Sequence, residues 1–144
     1  MSLQQPLPAT TALGRTPVLR APQILGDWVL WLEQRPHEKG RTTALIRGWR
    51  ETKSTPLELT PAPINLRSRV HDYGGAPLSA TLTKETLQLV WVDDNDCCLW
   101  FQAWTGLEGA SSQSLQAIAS PQRLTSRAKA LSEEASSTLP ALAG

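Results

Sequence analysis

The side chains able to do chemistry in this chain fall in a few short clusters, each of which can be set against the spacing its chemistry requires. Serine-nucleophile hydrolysis of the elbow type needs Gly-x-Ser-x-Gly, because that sharp turn exposes the hydroxyl to a histidine base and an oxyanion hole. The nearest run, Gly109-Ala110-Ser111-Ser112-Gln113, lacks the closing glycine and reads as a surface loop. His71 precedes Asp72, but adjacent strand residues point apart, so this carboxylate is badly placed to orient that ring. Asp93-Asp94-Asn95-Asp96 resembles part of a calcium loop, yet an EF-hand counted from Asp93 needs Gly and Glu where Cys98 and Trp104 stand. A hairpin turn is the expected role. Cys97 and Cys98 are neighbours and would face opposite ways on a strand, so both are expected as reduced thiols rather than a disulfide or metal site. The densest charge is Glu33, Arg35, His37, Glu38 and Arg41, which by composition forms a solvated turn. No cofactor or metal is expected from any of these clusters, and no catalytic residue is assigned.

The elements that would position these clusters are short and apolar. Trp28 to Glu33, Thr43 to Trp49, Leu57 to Thr60, Leu87 to Val92 and Cys98 to Trp104 are bounded by turn formers and too short for helices, so the chain is expected to be all-β. Leu87, Leu89 and Trp91 would face one way and Val90 and Val92 the other, which asks for cover on both sides. Antiparallel hairpins buried on both faces favour stacked sheets, as in the blades of a propeller. Six tryptophans against one Phe and one Tyr supply large flat side chains for the space between such sheets. A weak internal repeat agrees. Leu30-Trp31 returns as Val90-Trp91, and Thr60-Pro61 as Ser120-Pro121, 60 residues on; Ala44 to Trp49 matches Leu99 to Trp104, 55 residues on. One hairpin would turn through residues 35–41 and the other through 93–96, giving antiparallel sheets over 28–60 and about 69–119.

Bulk properties narrow the partners. With 14 basic and 13 acidic residues there is no cationic excess to hold nucleic acid or an anionic membrane, and neither is expected as a partner. No run approaches the roughly 18 apolar residues of a membrane helix, and the first fifteen residues lack the apolar core of a signal peptide, so a cytoplasmic location is expected.

Trp-Leu-Glu-Gln-Arg-Pro-His-Glu-Lys-Gly-Arg at 31–41 and the stretch from Glu58 to Ala76, with Thr-Pro-Ala-Pro and then Arg69, Val70, His71, Asp72, Tyr73, Gly74 and Gly75, carry a resemblance. Over roughly residues 20–122 the chain resembles the N-terminal β-propeller of prolyl oligopeptidase-family serine peptidases of the dipeptidyl aminopeptidase/acylaminoacyl-peptidase type. That resemblance implies about two antiparallel propeller blades, at 20–68 and 69–122, after a flexible segment at 1–19 and before a frayed helical or disordered tail at 123–144. It also implies a structural role for residues 69–75, away from any catalytic triad. Some relatives hold a substrate amine with propeller glutamates, so Glu33 and Glu38, with Arg35 between them, become candidate peptide contacts beside the plainer reading of a charged turn.

The function implied is that of a non-catalytic, truncated propeller fragment, which in full-length relatives screens the active site and admits short peptides. The α/β-hydrolase domain is expected to lie outside this chain. Two alternatives stand beside it: a self-standing interaction module pairing through blade edges, or the remnant of a truncated peptidase gene. Because two blades leave outer faces without neighbours, the expected partner is a second copy or a chain supplying further blades or the hydrolase domain.

Overall fold

The computed structural model describes residues 16–68 and 76–126. Two antiparallel sheets account for the regular structure. The first is built from β1 (Val18–Leu25), β2 (Trp28–Arg35), β3 (Arg41–Gly48) and β4 (Leu57–Glu58), in that order across the sheet. The second runs β5 (Leu78–Leu82), β6 (Leu87–Asp93), β7 (Cys98–Thr105) and β8 (Gln116–Ala117), with β9 (Gln122–Arg123) also on β7. Along β1 to β4 and β5 to β8 every strand pairs with its chain neighbour, while β9 returns to β7.

Alternation accounts for the central strands. Along β6 Leu87, Leu89 and Trp91 are buried while Gln88, Val90 and Val92 are half-exposed. Along β2 Trp28, Leu30 and Leu32 are buried against the same core. That core also takes Ala44 and Ile46 from β3, Leu78 from β5 and Trp104 from β7, so the two sheets pack face to face. At about 150–250 Å² of apolar surface each and about 25 cal/mol per Å², Trp28 and Trp91 contribute roughly 4–6 kcal/mol apiece before the entropy of ordering them.

Three strands carry no clear period in the sequence. β1 is an exposed edge broken by a bulge between Arg20 and Gln23, where Pro22 follows Ala21 at φ 48°, and β8 and β9 are two residues each. Their hydrogen bonds come from the neighbouring strand, and their side chains bury too little to mark the sequence. β5, Leu-Ser-Ala-Thr-Leu, does alternate, with Leu78, Ala80 and Leu82 turned to the core. β1 starts inside the segment expected to be flexible, and β9 reaches one residue into the expected tail. Residues Arg69, Val70, His71, Asp72, Tyr73, Gly74 and Gly75, like the helical tail expected from Arg127, lie outside the described residues.

The residues matched in the repeat lie on opposite sides with respect to the shared core. Leu30 is fully buried and its match Val90 half-exposed, and Ala44 is 0% exposed against 39% for Leu99. Units stacked in one direction have this property, because each meets the next through opposite faces.

Three joints lock the sheets together beyond apolar contact. Asp93, buried at the end of β6, accepts from the Asn65 amide and from the backbone and side chain of Asn95. The Arg67 amide donates to the Val92 carbonyl and the Leu66 amide to the Thr42 carbonyl, so residues 65–67 touch both sheets. At the other end Gly48 lies so close to the Ala110 carbonyl that a Cβ would sit 2.0 Å from its oxygen, and the Ser112 hydroxyl donates to the Thr55 carbonyl at 3.1 Å.

Candidate functional site: the charged hairpin of the first sheet

Between β2 and β3 the chain turns through a 3-10 turn at Pro36–Glu38, with Lys39 at φ 58° and Gly40 at φ 79° closing it. Proline presets the first φ of the turn and glycine takes the left-handed position without a Cβ penalty. The register then sets Arg35 directly opposite Arg41. Like charges at facing positions repel, so carboxylates must stand between them.

Three do. Arg35 Nε donates to Glu33 Oε1 at 2.7 Å, and its Nη1 lies 3.2 Å from Glu58 Oε1 and 3.5 Å from Glu38 Oε1. Arg41 Nε donates to Glu38 Oε2 at 2.7 Å and its Nη2 to Glu58 Oε1 at 2.6 Å. Its remaining nitrogen, Nη1, donates to the Thr60 and Ile64 carbonyls, both at 3.0 Å. The Arg41 side chain is only 10% exposed and that of Arg35 17%. The cluster is therefore more enclosed than a solvated turn.

Two guanidinium groups and three carboxylates leave this network with one formal negative charge. The Arg41 hydrogen bond holds Glu38 below its ordinary range, aided by the Arg35 charge. For Glu58 burial works against the charge, but hydrogen bonding to Arg41 and the attraction of both arginines outweigh it and lower its pKa. Glu38 and Glu58 are thus held in their ionised form, and the network's residual charge can complement an ammonium group.

The three residues expected as peptide contacts, Glu33, Arg35 and Glu38, are brought together here, with Arg41 joining both ends of the hairpin. Glu58 was not among them. It arrives from β4, 17 residues from Arg41, and the signal that could have found it is the alternation Leu57-Glu58-Leu59, which puts this carboxylate on the face opposite the core. His37 is exposed at the tip of the turn.

The remaining clusters serve the fold. Ser111 and Ser112 lie at a junction of two 3-10 turns, Glu108–Ala110 and Ser112–Ser114, rather than at a strand-to-helix elbow, and Ser112 is buried. Asp96 accepts from the Cys98 amide and from Trp100 Nε1, and Asp93 from Asn65 and Asn95, so both carboxylates bind the protein's own donors. Cys97 is exposed at φ 57° and Cys98 buried, both as free thiols. Among the described residues no group of three or more His, Cys, Asp or Glu is arranged to hold a metal. A cleft of about 400 Å³ opens between the sheets beside Asp27, Arg50, Glu51 and Glu108. No helix among the described residues is long and apolar enough to cross a membrane.

No protein-family model matches the chain, and a search of curated proteins finds no match. Among solved structures the chain is similar to a puromycin-hydrolyzing peptidase of Mycobacterium tuberculosis, at 36% identity over 58% of this chain and with a TM-score of 0.51. The chain spans 12% of that peptidase's length.

Proposed function

We propose that this chain is a non-catalytic pair of propeller-type blades related to the prolyl oligopeptidase-family serine peptidases, a piece of the part that screens the active site in a complete enzyme. The observation that carries this reading is the 36% identity to the puromycin-hydrolyzing peptidase, shared with a chain of which this one spans 12%. Two successive antiparallel sheets, of four and five strands, packed face to face support the blade assignment. In this reading the polypeptide is a cytoplasmic relative, and the hydrolase chemistry of a complete enzyme belongs to a domain other than these blades. Glu33 and Glu38, held in place by Arg35 and Arg41, would meet the ammonium terminus of a short peptide through the network's residual negative charge.

Two measurements test the proposal. Purified chain should hydrolyse neither puromycin nor aminoacyl reporter substrates above buffer; activity that survives repurification and is lost in Ser111→Ala or His71→Ala overturns the non-catalytic reading. In an NMR titration, a short peptide with a free amine should shift the amides of residues 33–41, and its N-acetylated form should not. Equal shifts with both peptides would exclude Glu33 and Glu38 as an ammonium site.

A further inference from the structure

The two outward faces of the stacked sheets are chemically unlike. On the second sheet the outward positions of β6 and β7 are Gln88, Val90, Val92, Leu99, Phe101, Ala103 and Thr105, set opposite one another by the register Val90↔Phe101 and Val92↔Leu99. The hydrogen bonds Ile118 N to Ala103 O and Leu124 N to Leu99 O carry the same face onto the neighbouring segment. Leu99, Ile118 and Leu124 are 39%, 56% and 48% exposed. Not one ionisable side chain interrupts these positions.

The outward face of the first sheet holds the Glu33, Arg35, Arg41 and Glu58 network beside Trp31 and Arg47, with Leu19 at 65% and Ile24 at 77% exposure along its β1 side. An apolar sheet laid over the whole of that face would bury the charged network, a cost that apolar contact must offset. Strand addition is hindered at three of the four sheet edges. β1 is divided by its bulge, Pro22 has no amide hydrogen, and β4 and the β8–β9 edge offer two-residue strands; β5, five residues long, is the remaining edge.

We propose that a second copy of this chain docks on the uncharged face of β6 and β7, face to face, through Val90, Val92, Leu99, Phe101, Ile118 and Leu124. A face without charge meets its own copy with no repulsion and no buried ion. Matching like with like closes the assembly at two, because the charged face of each protomer stays outside. The 24 residues of β5 to β9, rising about 3.4 Å each along strands about 4.8 Å apart, present roughly 400 Å² of face, below the about 800 Å² per partner of a stable interface. The dimer is accordingly weak. This inference stands on the face itself and not on the peptidase reading.

Sedimentation equilibrium of the full chain should show mass moving from one protomer toward two as concentration rises through the micromolar range. Leu99→Glu and Leu124→Glu, each at an exposed position that leaves the core intact, should each weaken the dimer at least ten-fold, with unchanged thermal melts. Ile24→Glu, on the outward face of the first sheet at 77% exposure, should leave it unaltered. A wild-type chain that stays monomeric throughout, a mass that grows past two, or an Ile24→Glu variant as impaired as Leu99→Glu would each overturn the proposal.

Discussion

Arg41 donates to Glu38, Glu58 and the carbonyls of Thr60 and Ile64, so one side chain ties the hairpin tip to β4 and the loop beyond it. Removing it leaves Glu38 and Glu58 to Arg35 alone, the Thr60 carbonyl to the Thr43 hydroxyl, and the Ile64 carbonyl without this donor. Arg41→Met should lower unfolding free energy by about 2–3 kcal/mol, discounted for the exposure of Glu38 and Glu58, and Arg41→Lys should recover less than half because an ammonium cannot fork between them. Urea titrations check both. The lowered pKa values of Glu38 and Glu58 set a pH dependence: the unfolded chain takes up these protons first, so the contribution is fully present above the ordinary value of 4.5 and is lost as pH falls through the lower folded values. The urea midpoint of wild type should fall as pH drops below 4.5, and that of Arg41→Met should fall less steeply. Gly48 poses a steric case. A methyl group there meets the Ala110 carbonyl oxygen at 2.0 Å, so Gly48→Ala should cost about 1–3 kcal/mol as the 108–110 turn is pushed aside.

At the scale of elements the joint at Asp93 is the sharpest test of how the sheets are coupled. Its Oδ1 accepts from the Asn65 amide and from Asn95, while the Asp94 amide donates to the Asn65 carbonyl. Asp93→Ala removes the shared acceptor of the half-buried Asn65 amide and of the exposed Asn95, at about 0.5–1.5 kcal/mol. Hydrogen exchange should quicken at Asn65 and Leu66 while the amides of β6 remain protected; equal loss in both places would show that the joint holds up β6 rather than connecting the sheets. The hairpin itself was legible. Arg35 through Arg41 has a proline, a glycine and four charges, a composition that reads as a turn from local chemistry alone. Glu58 was not, since its place in the network depends on β4 adding to β3, a pairing decided 12 residues downstream by which edge was left open.

Taken whole, the molecule has one core spanning two sheets. A continuous core predicts a single cooperative transition, and circular dichroism melts at 222 nm and in the aromatic region should coincide. Trp91→Ala, at 1% exposure, should cost about 3–5 kcal/mol and lower that one transition. Two separated transitions would mean that each sheet folds alone.

Local periodicity determined that this chain is built of strands, because Trp28 to Leu32 and Leu87 to Trp91 alternate buried and less buried positions however the sheets are arranged. Turn chemistry at 35–41 and 93–96 likewise fixed two hairpins from residues adjacent in the chain. Which side of each sheet meets the other was not determined, since a hairpin keeps its register whichever face is covered. Packing chose between the sides, by seating Leu87, Leu89 and Trp91 rather than Val90 and Val92 against Leu30 and Trp28. The tryptophans show the same division. Their number announced large inter-sheet spaces, but all four of Trp28, Trp91, Trp100 and Trp104 turn toward the shared core, while Trp31 lies on the charged outward face and Trp49 stands 47% exposed beneath the Arg50 guanidinium. Facing is a property of packed layers, and only the tertiary structure supplies the second layer.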